Sequence, residues 1–206
     1  MWGGMISRSM QRLHLIKLCG WAGLLMTALL CSCGDTTSEF SKSPCRLYIN
    51  NQTEHHDAVL AQAMTQYSGV FVTVTLTSQS GAQYFAFKSN QGGSSTAIFM
   101  KPDQERLKNS QIILGMNGAL IVGYGNSTDG TFYAYDRECP NCFDPNALPM
   151  KSYPLTVGSN GIATCATCHR GYDLNNGGVV AAGDGGTKMT RYYASTTGPY
   201  GVLSVW

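Results

Sequence analysis

Two cysteine pairs constrain this chain more than any other feature: Cys139-Pro140-Asn141-Cys142 and Cys165-Ala166-Thr167-Cys168. Both lie in a stretch of strand-like runs and turns rich in Gly, Pro and Asn. A C-x-x-C turn aims both of its sulfurs at one point, so two such knuckles can converge on a single tetrahedral centre. Four thiolates suit zinc, or iron in mononuclear or iron–sulfur form. The spacing is close to that of paired-knuckle zinc sites. Cys139, Cys142, Cys165 and Cys168 are therefore the expected metal ligands.

The beginning of the chain reads differently. Arg8, Arg12 and Lys17 precede an apolar run from Leu18 to Leu30, followed by Cys31-Ser32-Cys33. A hydrocarbon core needs about 20 apolar residues to be spanned, and this run is shorter. Basic flank, short apolar core and small residues before a break read as a signal for export. The break resembles a bacterial lipoprotein box, which makes residues 1–32 a signal peptide and Cys33 the lipidated residue. That resemblance implies a cell-envelope protein on the periplasmic or surface side, held to the membrane by lipid on Cys33. Residues 33–44, rich in Ser and Thr, read as a flexible tether.

The chain carries 14 Lys+Arg against 12 Asp+Glu. Three of the basic residues and none of the acidic ones lie in the signal, so the remainder is near neutral. There is no basic patch of the kind that binds nucleic acid. The expected partners are the membrane and an unidentified redox partner protein.

Eight cysteines are present, and Cys19, Cys31 and Cys33 belong to the exported leader and its lipid site. Cys45 stands in the alternating run Cys45-Arg46-Leu47-Tyr48-Ile49 and reads as a small core residue. Disulfides or a redox dithiol are the alternative for the two pairs in an exported chain. A thioredoxin-like motif, however, opens a helix, and no helical pattern follows either pair. Cys165-Ala166-Thr167-Cys168-His169 is also a literal haem-attachment string, which would leave Cys139 and Cys142 without a task.

Residues 45–206 read as one mainly β domain. Val59, Leu60, Ala63 and Met64 recur at helical spacing over 57–66, with His55 and His56 expected as solvated residues at the helix start. Residues 70–76 and 84–87 are β-branched and aromatic runs. Asn117-Gly118 between 112–115 and 119–124 predicts a tight hairpin. Residues 131–135, 178–182, 189–194 and 202–205 complete the strand candidates. Tyr192, Tyr193, Tyr200 and Trp206 are expected as core and hairpin residues. Short strands with regular punctuation predict antiparallel sheets or a barrel.

Phe132-Tyr133-Ala134-Tyr135-Asp136 leading into Cys139-Pro140, and Tyr172-Asp173-Leu174 with Gly177-Gly178 after the second pair, resemble the Rieske iron–sulfur domain. The likeness covers about residues 111–206. It implies an antiparallel Rieske-like fold with a small two-loop metal-binding subdomain at about 132–178, a [2Fe–2S] cluster and electron transfer. The ligand types differ from the family pattern of one cysteine and one histidine per loop. Asn141 stands where the first histidine would be, with Cys142 following. Cys168 stands where the second would be, with His169 after it. The family's loop over the cluster has no evident counterpart in Gly183-Asp184-Gly185-Gly186-Thr187. Histidine raises the potential of such a cluster, so an all-thiolate centre would be low in potential, or would be zinc. A structural zinc would make the chain a binding or assembly module instead of an electron carrier. His169 and Arg170 are candidates for interactions just outside the ligand set. No catalytic residue is indicated.

Overall fold

The computed structural model describes residues 39–206; the expected signal peptide (1–32), Cys33 and residues 34–38 lie outside the described residues. The described chain is built from thirteen strands, two short α-helices and one 3-10 turn at Leu174–Asn176. In chain order they are β1 (Leu47–Asn50), α1 (Ala58–Ala63), β2 (Phe71–Gln79), β3 (Ala82–Ser89), β4 (Ser94–Ile98) and α2 (Lys101–Lys108). Then follow β5 (Ala119–Tyr124), β6 (Phe132–Asp136), β7 (Leu155–Val157), β8 (Ile162–Cys165) and β9 (Gly171–Asp173). The last are β10 (Val179–Ala182), β11 (Arg191–Tyr192), β12 (Ala194–Thr196) and β13 (Val202–Val205).

Every strand pairing is antiparallel. A six-stranded sheet runs β11-β6-β5-β2-β3-β4, a three-stranded sheet β1-β13-β12, and a four-stranded sheet β10-β9-β8-β7. Among the described residues no sheet closes into a barrel, so the barrel alternative is replaced by three open sheets.

The two-residue period of a strand divides the buried side chains between two cores. On β5, Leu120 and Val122 join the larger core while Ile121 joins the smaller. On β6, Phe132 and Ala134 face the larger core and Tyr133 and Tyr135 the smaller. The larger core lies between one face of the six-stranded sheet, α1 and the three-stranded sheet, around Phe85, Phe87, Leu60, Leu203 and Val205. The smaller core joins the other face to the four-stranded sheet through Phe71, Ile121, Tyr135, Leu155, Tyr172 and Leu174. Coverage on both faces explains why β5 and β6 are almost continuously buried rather than alternating.

Several local expectations change. Residues 119–124 do not fold back on 112–115; β5 lies between β2 and β6, and Ile113 bridges Arg46. The hairpin read from Asn117-Gly118 gives way because β5 buries more side chains at the centre of the large sheet than in an isolated ribbon. Gly118 still takes a positive φ, +75°. α2 and β4 were not evident in the sequence, because α2 is polar on most of its surface and buries only Asp103. The 189–194 run is split, with β11 on β6 and β12 on β13. Tyr192 is buried, but Tyr193, Tyr200 and Trp206 are about half-exposed. Tyr193 stacks on Phe40, and Tyr200 on His56. His55 is not solvated: its side chain is 1% exposed.

Candidate metal centre

The first knuckle begins three residues after β6, and its base is held by two buried carboxylates. Asp136 accepts hydrogen bonds from the Met116 and Glu138 N–H groups and from the Tyr192 hydroxyl. Burial nevertheless raises its pKa. Glu138 accepts from Asn117 Nδ2 at 2.6 Å, from Ser152 Oγ and from the Tyr153 N–H. These bonds tie the segment before Cys139 to the segment entering β7. The turn then closes on itself, with the Cys142 and Phe143 N–H groups donating to the Cys139 carbonyl at 3.1 and 2.9 Å.

The second knuckle links β8 to β9. Cys165 is the last residue of β8, and the His169 N–H donates to its carbonyl at 3.0 Å. His169 reverses the chain with a φ of +57°. Its side chain is exposed, so its part in the turn is played by backbone. Cys139 and Cys165 are buried, Cys142 and Cys168 half-buried.

All four Sγ atoms lie within 4.8 Å of one another. Cys139 and Cys168 are 3.7 Å apart, and Cys142 and Cys165 3.9 Å. A cluster of this kind could hold a metal.

The electrostatics of Cys139, Cys142 and Cys168 are unequal. Burial pushes the Cys139 and Cys142 thiols up, and the neighbouring thiols raise Cys142 further. Burial also opposes ionisation of Cys168. Hydrogen bonds from the Arg170 backbone and guanidinium and from Cys142 and Cys165 prevail, and hold it at about 6. One sulfur can carry a negative charge at neutral pH; a second nearby charge is disfavoured by repulsion, unless a cation is shared.

A shell of donors surrounds the sulfurs. The Asn141 and Arg170 N–H groups donate to Cys139 and Cys168. Asn141 Nδ2 donates to the Tyr172 hydroxyl at 2.9 Å and to the Thr187 carbonyl at 2.8 Å. The Tyr172 hydroxyl, accepting from Asn141, is free to donate to Cys139 Sγ, 3.3 Å away. Arg170 also reaches the Asp184 and Gly185 carbonyls at 3.0 and 3.2 Å. The 183–187 segment therefore lies over the site and is pinned to both knuckles. Gly186 permits the close approach, since a Cβ there would fall 2.5 Å from Asn141 Oδ1.

The four cysteines and Arg170 were legible in the sequence. Tyr172, Asn141 and the covering segment were not. A buried tyrosine hydroxyl immediately after a cysteine knuckle is the signal that points to the first of them, because it needs a partner. No family model, curated protein or solved structure matches this chain.

Proposed function

We propose that this chain is a lipid-anchored envelope protein whose four cysteines hold one zinc ion, which staples two loops of a binding or assembly module. The spacing of the sulfurs carries this reading. Metal–sulfur bonds of about 2.3 Å place tetrahedral ligands about 3.8 Å apart. Two of the sulfur pairs stand at 3.7 and 3.9 Å, and every pair lies within 4.8 Å. A two-iron cluster divides its thiolates between two metal atoms and holds the two pairs further apart. The spacing thus weighs against the [2Fe–2S] centre implied by the Rieske likeness. The inward facing of Cys165 and Cys168 on the other pair likewise weighs against covalent haem.

Zinc fits a closed four-thiolate shell, which leaves no coordination position for a substrate. It also suits the setting. The strands β7 to β10 are three or four residues long, and a small sheet of short strands gains much from a metal clip. The envelope address and the anchor at Cys33 rest on the leader sequence.

A second reading is electron transfer through one iron in the same four thiolates. The half-buried Cys142 and Cys168 favour it, as do the donors on the sulfurs from Tyr172, Asn141 and Arg170. Such donors tune the potential of an iron centre.

The soluble form lacking residues 1–33 separates these readings by metal content and visible spectrum. One zinc per chain and no colour is the expected result. One iron per chain with thiolate-to-iron absorption selects the second reading. Two irons with labile sulfide sink the single-ion proposal.

A further inference from the structure

We propose that Glu54, His55 and Asp103 form a second cation site, independent of the cysteines, for a borderline divalent ion such as zinc. Glu54 and His55 lie in the loop between β1 and α1, and Asp103 in the first turn of α2. One ligand atom from each lies within 4.8 Å of the others. One imidazole nitrogen and two carboxylates make a donor set suited to zinc.

The hydrogen-bond geometry distinguishes this cluster from an ordinary buried ion pair. The His55 side chain is 1% exposed and that of Asp103 is fully buried. His55 Nε2 is 3.1 Å from Asp103 Oδ2, yet neither this contact nor any other supplies Nε2 with a well-directed hydrogen bond. Glu54 Oε2 is likewise buried without a hydrogen-bond partner. Two atoms that bind a common ion sit side by side without aiming at each other. With tetrahedral metal–ligand bonds of about 2.0–2.2 Å their separation is about 3.3–3.6 Å, a little more than the 3.1 Å seen here.

Asp103 is held as a ligand should be. The Met100 N–H donates to its Oδ2 at 2.9 Å, and Arg106 to its Oδ1 at 3.1 Å. Bonds of this kind orient metal-binding carboxylates. Arg106 does not take the ion's place. Its guanidinium is bonded to the oxygen turned from His55, is stacked over Tyr48 at 4.3 Å, and stands 3.8 Å from Glu54 Oε2. Glu54 and Arg106 are partly exposed, which gives a cation a way in.

The test titrates Co²⁺ into the full-length protein in detergent, with the cysteine centre left as isolated. The expected result is one equivalent with weak d–d absorption and no thiolate charge-transfer band. Its affinity should fall at least tenfold in both Glu54→Gln and His55→Gln. Lys108→Gln should retain it, because that exposed side chain on the same helix pairs with Glu105 and touches none of the three ligands. Glu54→Gln alters a partly exposed side chain, so its fold should survive, as circular dichroism would verify. Absence of the weakly absorbing equivalent overturns the proposal, as does an equivalent that folded Glu54→Gln binds unchanged. The thiolate band reports the cysteine centre separately, so failure of either site is visible apart from the other.

Discussion

The two cores of this molecule are held by different means. The larger rests on long strands: β2 and β3 are nine and eight residues, paired along almost their whole length. It is filled by Phe85, Phe87, Phe99, Leu60 and a row of aliphatic side chains. The smaller is closed by strands of three or four residues, and two of its buried members are Cys139 and Cys165. Apolar burial sustains the first without help. The second combines limited apolar area with the Cys139 and Cys142 thiols, whose ionisation burial opposes. It should therefore depend on a cation where the first does not.

The largest effect should come from breaking that dependence. Cys165→Ser is expected to abolish metal binding at the cysteine centre and to expose the amides of 155–182 to rapid hydrogen exchange, while those of 71–89 stay protected. Structural zinc in small domains contributes apparent binding free energies of about 10–16 kcal/mol, which bounds the local loss. Simultaneous loss of protection in both regions would show that the cores are not separate in stability.

Phe85→Ala attacks the other side. Its ring is fully buried and packs on Phe99 at 4.3 Å between centroids. Global stability should fall by about 3–5 kcal/mol in denaturant unfolding, with the metal of the cysteine centre retained. Loss of metal in the folded variant would contradict the division of labour.

A smaller effect separates a core thiol from the site thiols. Burial pushes Cys45 from 9.0 up to about 11. Its folded pKa is raised, so its contribution is full below pH 9.0 and is lost as pH rises through about 11. The stability lost by pH 11 should be about 2 kcal/mol, and the Cys45→Ala variant should lack that part of the slope. Urea titrations of both proteins between pH 8 and 11 measure it. In native protein Cys45 should also resist alkylation, whereas Cys168 should react once metal is removed.

The smallest effect concerns the helix beside the larger core. Asp57 caps α1 by accepting from the Leu60 N–H at 2.8 Å. Asp57→Ala should cost about 1 kcal/mol in the same unfolding experiment and leave metal content untouched.

Much of this was legible in the residues. The β-branched and aromatic runs marked β2, β3, β5 and β6, and the period of Val59, Leu60, Ala63 and Met64 marked α1 with its start near Asp57. Cys45 was placed correctly in the core. The polar α2 escaped notice because its anchor is a single buried carboxylate rather than an apolar stripe. Asn117-Gly118 misled because turn preference is worth less than the burial of β5 on both faces. His55 was read as solvated because nothing nearby in sequence offers it a partner; Asp103 reaches it only through the fold.

By itself, the sequence determined the four sulfurs, the mainly antiparallel β character and the knuckle turns, because those follow from residue type and short-range spacing. Only the tertiary structure decided that the sulfurs meet within 4.8 Å, that Tyr172 and Asn141 line up on Cys139, and that the 183–187 segment covers them. Those contacts join strands and loops far apart in the chain, and their distances are set by how two cores pack on opposite faces of one sheet.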